Sequence, residues 1–219
     1  MILSTERRLP AIRAMILAAA TLAAPVSIAH AQAADPSADL GASAAAIDRL
    51  LSEGRGLEAA QAARHFLHAV TARAGFGVTN ARLTVTPAEG FGMFQPRPDN
   101  VYAIDEPVHA YVEVYGFTIT PVDPGVNRLL FDVAFTLDDA EGRQMTEQMI
   151  PMGEVRLDSF SQPIDGFFHL TYRVTGATGA FTLRTEVIDR ASGQRAEFRL
   201  PVVFADPPAT RGSAGDSGK

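Results

Sequence analysis

The chain has 219 residues, of which 47% are hydrophobic and 20% charged, and it contains neither Cys nor Trp. That share of apolar residues excludes an intrinsically disordered chain, and the lack of Cys excludes a disulfide scaffold and thiolate metal sites. The formal net charge of −6 argues against nucleic acid as a partner, because binding a phosphate backbone needs a concentrated basic surface.

The first 33 residues have the pattern of a secretory signal peptide. Arg7, Arg8 and Arg13 precede an apolar stretch at residues 14–28, and Ala31-Gln32-Ala33 follows as a small-x-small cleavage pattern. The apolar stretch is shorter than the roughly 20 residues that a membrane-spanning helix needs. We therefore expect general secretion (Sec-type), cleavage after Ala33, and a periplasmic or extracellular product without an integral membrane span. Twin-arginine export and an uncleaved signal anchor are the alternatives.

Residues 34–76 are rich in Ala, and their apolar residues recur at helical spacing. The first stripe consists of Leu40, Ala44, Ile47 and Leu51, and the second, after a break at residues 54–56, of Ala60, Ala63, Leu67, Val70 and Ala74. Each stripe lies on one face of a helix with 3.6 residues per turn. The pattern predicts an α-helical hairpin appended to the rest of the chain.

Between residues 77 and 205 the period of the pattern is two, which is typical of strands with one buried face. The clearest alternating runs are 108–115, 131–137, 168–174, 181–187 and 198–204, with weaker runs at 80–87, 101–105 and 145–150. Turn-forming connectors at 138–142, 175–179 and 189–193 predict sequential antiparallel hairpins. Together these features predict a mainly β domain, an antiparallel β-sandwich of about seven strands, followed by a disordered tail at residues 206–219.

The predicted arrangement resembles an immunoglobulin- or fibronectin-type sandwich. Its end, from Gly179-Ala180-Phe181 through the turn at 189–193 to Leu200-Pro201-Val202, is similar to the closing strand–turn–strand of many exported bacterial sandwich domains. The Cys pair and the core Trp of antibody-like domains are absent. The resemblance therefore implies an architecture and no functional residues.

Two patterns suggest metal binding. His65 and His68 lie three residues apart on one helix face, but no third ligand follows at a recognisable spacing, so we expect a solvated polar face. Met145, Met149 and Met152, with Met93 earlier in the chain, carry thioethers that suit Cu(I). Met is also a common filler of irregular cores, which is the simpler interpretation. We predict no metal site and no cofactor.

Two further patterns suggest catalysis. Gly215-Asp216-Ser217-Gly218 matches the residues around a serine-protease nucleophile, but it lies in a Gly- and Ser-rich tail without a general base. Asp138 and Asp139 are paired carboxylates, but Asp is favoured in hairpin turns for its backbone contacts. No residue is therefore predicted to be catalytic.

The most informative surface is one face of the predicted strand at 108–115, which carries His109, Tyr111, Glu113 and Tyr115. Aromatic rings beside a carboxylate on an exposed sheet can stack on a sugar or bind a peptide, so these four are the candidate binding residues. The helical hairpin, however, must bury its own apolar stripe, so we expect it to dock on this face, and a ligand-binding platform is the alternative.

The sequence predicts an exported bacterial protein that is not an enzyme and acts by binding or structural support in the cell envelope. Its partner would be an envelope protein or a small ligand. The alternative is a periplasmic copper-handling protein, or an enzyme whose site is assembled only in three dimensions, which sequence patterns do not reveal.

Overall fold

The computed structural model describes residues 39–205, in which two helices precede nine strands. The elements are α1 (Leu40–Ser52), α2 (Gly56–Ala74), β1 (Gly77–Thr84), β2 (Val101–Ala103), β3 (Val108–Tyr115), β4 (Thr120–Asp123), β5 (Val126–Asp138), β6 (Ile150–Ser159), β7 (Asp165–Tyr172), β8 (Gly179–Asp189) and β9 (Arg195–Ala205). The prediction of a mainly β chain with two helices ahead of the sheets is confirmed. The predicted signal peptide at 1–33 and the predicted tail at 206–219 lie outside the described residues.

The strands form two sheets. One has three strands in the order β1-β3-β7, and the other has six, with β2-β9-β8-β5-β4 as neighbours and β6 paired with β5. Every pairing is antiparallel except that of β2 with β9. Because β6 and β8 both pair with residues 131–135 of β5, they lie on opposite edges of that strand.

Side chains from both sheets share one hydrophobic core. Phe131 of β5 lies at its centre, where ring centroids of Phe76, Phe117 and Phe168 are 5.6, 6.1 and 5.9 Å away. Phe131 is fully buried, and Phe168 of the three-stranded sheet is nearly so. Burying each such side chain contributes about 1.5–3 kcal/mol, so these contacts hold the two sheets together.

The hairpin predictions are partly confirmed. The connectors at 138–142 and 189–193 join β5 to β6 and β8 to β9, which are antiparallel neighbours. The connector at 175–179 was predicted to form a hairpin as well, and that is wrong, because β7 and β8 belong to different sheets. Turn residues reverse the chain there, but the two strands do not hydrogen-bond to each other.

The prediction of about seven strands misses β4 and β6. Of the predicted strand at 145–150 only Ile150 is in a strand, because β6 begins there and runs to Ser159. The register of β6 against β5 shifts between Val133 and Ala134, opposite Gly153 and Pro151, which leaves Met152 as the extra residue of a β-bulge. Pro, Gly and the bulge interrupt the alternation by which a strand is recognised.

The two predicted helices are present, but a different face of α2 is buried. Ala59 and Ala69 are buried, whereas Ala60 and Ala63 of the predicted stripe are exposed, as is Leu67. An Ala-rich helix presents small apolar residues on several sides, so spacing alone does not identify the packed one. Within residues 39–205, neither helix combines the length and the apolar character needed to cross a membrane.

Candidate binding site

The four predicted binding residues lie on one face of the three-stranded sheet. β3 sends Val108, Ala110, Val112 and Val114 into the shared core, and its alternate residues are His109, Tyr111, Glu113 and Tyr115. Their partners across β7 are, in the same order, Thr171, His169, Phe167 and Asp165. The period-two prediction therefore places the candidate residues on the correct side of the strand.

Tyr111 is fully buried at the centre of this face. Its ring stacks with those of Phe94 and Phe167, at centroid distances of 4.3 and 5.8 Å. The hydroxyl donates a hydrogen bond to Glu113 Oε1 at 2.7 Å and accepts one from the Gly92 N–H at 2.8 Å. Burial, together with the bond to Glu113, raises the pKa of Tyr111 to about 12. Tyr111 is therefore a neutral phenol whose ring and hydroxyl are both engaged by the protein itself.

Tyr111 is buried under a segment that we call the covering loop, residues 85–97. The loop leaves the end of β1 and folds back on itself, with Glu89 N–H donating to the Met93 carbonyl and Arg97 N–H to the Leu83 carbonyl. Phe91 of the loop meets Phe167 edge-on at 6.0 Å. Phe91 and Met93 are nevertheless 47% and 61% exposed.

The expectation that the helical hairpin docks over Tyr111 is therefore wrong. The rings and the N–H that contact Tyr111 belong to the covering loop and to β7. α2 instead contacts the segment between β6 and β7, where Arg64 Nη2 donates to the Gln162 carbonyl at 3.2 Å.

His109 lies at the other end of β3 from Tyr115. Its Nδ1 is 3.0 Å from Thr171 Oγ1, the hydroxyl of its cross-strand partner. Burial lowers the pKa of His109, and the nearby His169 and Arg173 lower it further, while Glu106 opposes them. The surroundings of the ring therefore favour the neutral imidazole.

Glu113 and Tyr115 are also engaged by neighbours in the sheet. Glu113 Oε1, which already accepts from Tyr111, lies 3.4 Å from Asn80 Nδ2 on β1. The ring of Tyr115 lies against Gly77, its partner on β1. The structure thus brings the four candidate residues together on one face. There, residues of the neighbouring strands and of the covering loop already contact their side chains.

The sequence analysis missed Phe94, Phe167 and Gly92, which complete this cluster. Phe167 had a usable signal, because Phe167 and Phe168 are consecutive in a strand and must point to opposite faces. Phe168 enters the core, so Phe167 has to lie beside Tyr111. Phe94 and Gly92 lie in a loop without periodicity, and nothing in the pattern indicates where they fold.

The other candidates from the sequence do not converge on a site. His65 is exposed, whereas His68 is only partly exposed, and burial lowers the pKa of His68. Met152 packs against the core, whereas Met145 is exposed. Across residues 39–205, no three His, Asp or Glu side chains are grouped so that they could hold a metal ion.

The acidic pair at the β5 turn has structural contacts. Asp139 Oδ1 accepts from the N–H groups of Glu141 and Arg143 at 3.1 and 2.8 Å, which is the turn chemistry predicted for it. Asp138 is buried, and its carboxylate accepts two hydrogen bonds from Arg184, at 2.7 and 3.2 Å. The ion pair between Asp138 and Arg184 therefore links β5 to β8 at the end of the six-stranded sheet.

No known protein family matches the sequence, and no curated protein is similar to it. Among solved structures, the sporulation control protein Spo0M from Bacillus subtilis aligns with 61% of this chain and 51% of its own, at 11% identity and a TM-score of 0.34. The alkylpurine DNA glycosylase AlkC from Pseudomonas fluorescens, bound to DNA containing an abasic site analogue, aligns over 67% and 40%, at 15% identity and a TM-score of 0.31. The chain thus spans about half of the first protein and two fifths of the second. At these TM-scores neither similarity supports an argument about fold or function.

Proposed function

We propose that this chain is an exported bacterial protein that acts without catalysis, by binding an envelope protein or a small ligand or by structural support in the periplasm or outside the cell. The signal-peptide pattern of residues 1–33 supports export. The contacts of the candidate site support a role without catalysis.

The burial of Tyr111 is the observation that carries this proposal. A general acid or base must reach a proton of the substrate, directly or through one water. The Tyr111 hydroxyl instead bonds Glu113 and Gly92, and the whole side chain is buried. This arrangement is typical of a scaffold that holds a loop in one conformation. The covering loop then presents its exposed side chains, Phe91 and Met93, to the partner.

We further propose that the two sheets pack face to face as in an immunoglobulin-like sandwich. Core contacts between Phe131 and Phe168 join the two sheets. The crossing of the chain from β7 in one sheet to β8 in the other is typical of Greek-key connections in such sandwiches. An experimental structure in which the two sheets share one closed barrel would contradict this part of the proposal.

Export is tested by fractionating cells that produce the full chain and determining the N-terminus of the product. We expect a periplasmic or secreted protein that begins at Ala34. Recovery from the cytosol with residues 1–33 still attached would overturn the proposal.

Binding through the covering loop is tested by placing a photo-crosslinking residue at position 91 in the exported protein. We expect an adduct that is absent when the same residue replaces Arg199, which is exposed on β9 of the other sheet. Identical adducts at both positions, or none at position 91, would argue against a binding surface there.

A further inference from the structure

β6 is an edge strand. It pairs with β5 along one side, and within residues 39–205 no strand pairs with its other side. Its pairing with β5 is regular over residues 153–159, beyond the bulge at Met152. An edge of this kind presents unpaired N–H and C=O groups, which are a template for a strand from another chain.

Charges of alternating sign follow one face of this edge, at Glu154, Arg156 and Asp158. Toward the interior of the sheet, Glu154 pairs with Arg190, and the Asp158 carboxylate accepts from Arg128 at 2.7 and 3.0 Å. Arg156 differs from these two. Its ion pair with Asp158 has a 3.9 Å separation, and its side chain is 59% exposed. The outermost row of charges is therefore only partly neutralised within the chain.

A second copy of β6 can continue the sheet only in certain registers. In an antiparallel pair related by a two-fold axis, directly opposite residues lie on the same face, so the axis must pass through a residue. An axis at residue 154 places Glu154 opposite itself, and an axis at 156 places Arg156 opposite itself. An axis at Val155 places Glu154 opposite the partner's Arg156 twice, and an axis at Leu157 places Arg156 opposite the partner's Asp158 twice. Like charges directly opposite one another are destabilising and opposite charges stabilising, so the sequence of β6 favours these two registers. The axis at Val155 is the better of the two, because it uses Glu154 and leaves Asp158 to the two hydrogen bonds that it accepts from Arg128.

We propose that two copies of the chain associate through β6, antiparallel, with the two-fold axis at Val155. Pro151 has no N–H to donate, and the bulge at Met152 distorts the strand, so the new pairing covers residues 153–157 of each copy. The Glu154–Arg156 contacts select the register, and backbone hydrogen bonds join the two six-stranded sheets into one. This interface lies on a different sheet from the covering loop, so the dimer is independent of the function proposed above.

Sedimentation of the purified protein over a concentration series measures this association. We expect a monomer–dimer equilibrium whose dissociation constant rises roughly tenfold or more in Arg156→Glu, because two pairs of like charges then face each other. The double variant Glu154→Arg/Arg156→Glu exchanges the charges and should restore the original constant. Arg199→Glu is the matched control, since Arg199 is as exposed as Arg156 and forms one ion pair within its own strand.

A chain that stays monomeric at every concentration overturns the proposal. The proposal is also overturned if Arg156→Glu raises the dissociation constant no more than Arg199→Glu does. Circular dichroism of each variant verifies that the strands are retained. Cysteine cross-linking provides a second test of the dimer that does not depend on charge repulsion.

Cysteine cross-linking tests the register, because the chain has no Cys of its own. A chain with Glu154→Cys, mixed with a chain with Arg156→Cys, should form a disulfide-linked dimer on oxidation, since directly opposite β-carbons lie about 4.5–5.5 Å apart. Neither variant should form this link when oxidised alone. A link in Glu154→Cys alone or in Arg156→Cys alone would place the axis elsewhere and overturn the proposed register, as would the lack of any link in the mixture.

Discussion

The ring of Tyr115 lies directly against the α-carbon of Gly77, its partner across β3 and β1. A β-carbon at position 77 would be 2.5 Å from Tyr115 Cζ and 2.6 Å from Cε1, well inside van der Waals contact. The absence of a side chain at Gly77 is therefore what allows an aromatic ring to cover this end of the sheet.

Gly77→Ala is expected to lower the free energy of unfolding by about 1–2 kcal/mol, because the Tyr115 ring must move aside. Urea denaturation measures the loss. Gly56→Ala is the control, since nothing lies within 4 Å of a β-carbon there and Ala is the better helix former. Equal effects of the two substitutions would show that the Tyr115 contact does not matter.

Two buried tyrosines should respond differently to loss of the hydroxyl. Tyr172 Oη hydrogen-bonds Thr185 Oγ1 at 2.8 Å, whereas the buried Tyr102 Oη has no hydrogen-bond partner within residues 39–205. Tyr172→Phe should therefore cost about 1 kcal/mol, and Tyr102→Phe should be neutral or stabilising. Thermal unfolding compares the two, and a larger loss in Tyr102→Phe would contradict this account of the two hydroxyls.

The lowered pKa of His109 should make stability depend on pH. The folded chain binds a proton at His109 less readily than the unfolded chain does, chiefly because the ring is partly buried. The free energy of unfolding should therefore fall as the pH drops from about 7 toward the pKa of His109 in the folded chain, and this contribution should level off below it. His109→Gln should reduce that slope in urea titrations at several pH values. His65→Gln alters an exposed ring and should leave it unchanged.

The face that α2 buries can be tested with a pair of adjacent alanines. Ala59 is buried and Ala60 is exposed. Ala59→Gln should cost about 1–3 kcal/mol through overpacking, and Ala60→Gln should change stability by less than about 0.5 kcal/mol. Chemical denaturation measures both losses. A larger loss in Ala60→Gln than in Ala59→Gln would show that the stripe predicted from spacing, which includes Ala60, is the buried face.

Strands with uninterrupted alternation could be predicted from the sequence, because one buried face imposes period two on them. β3 and β8 are of this kind. β6 could not be predicted, since Pro151 and Gly153 resemble strand breakers until the bulge is seen. The pairing of strands was less accessible still, because the turn at 175–179 does not reveal that the chain crosses to the other sheet.

The face of the candidate site could be predicted, but not what covers it. Alternation along β3 places Tyr111 outside the core of the two sheets. Its burial depends on Phe94 and Gly92, which belong to a loop without regular structure. Patterns along a strand carry no information about a distant loop. The sequence therefore predicted the helical hairpin, and not the covering loop, as the segment that packs on Tyr111.

The position of β9 has a consequence for the order in which the six-stranded sheet can form. β9 pairs with β8 along most of its length and with β2 at residues 203–205, so it joins two strands that are about 80 residues apart in sequence. β9 follows both of these strands in the sequence, so it is synthesised after them. The six-stranded sheet therefore cannot be completed before β9 is synthesised, and until then β2 and the outer edge of β8 lack their partner strand and are exposed to proteases and chaperones.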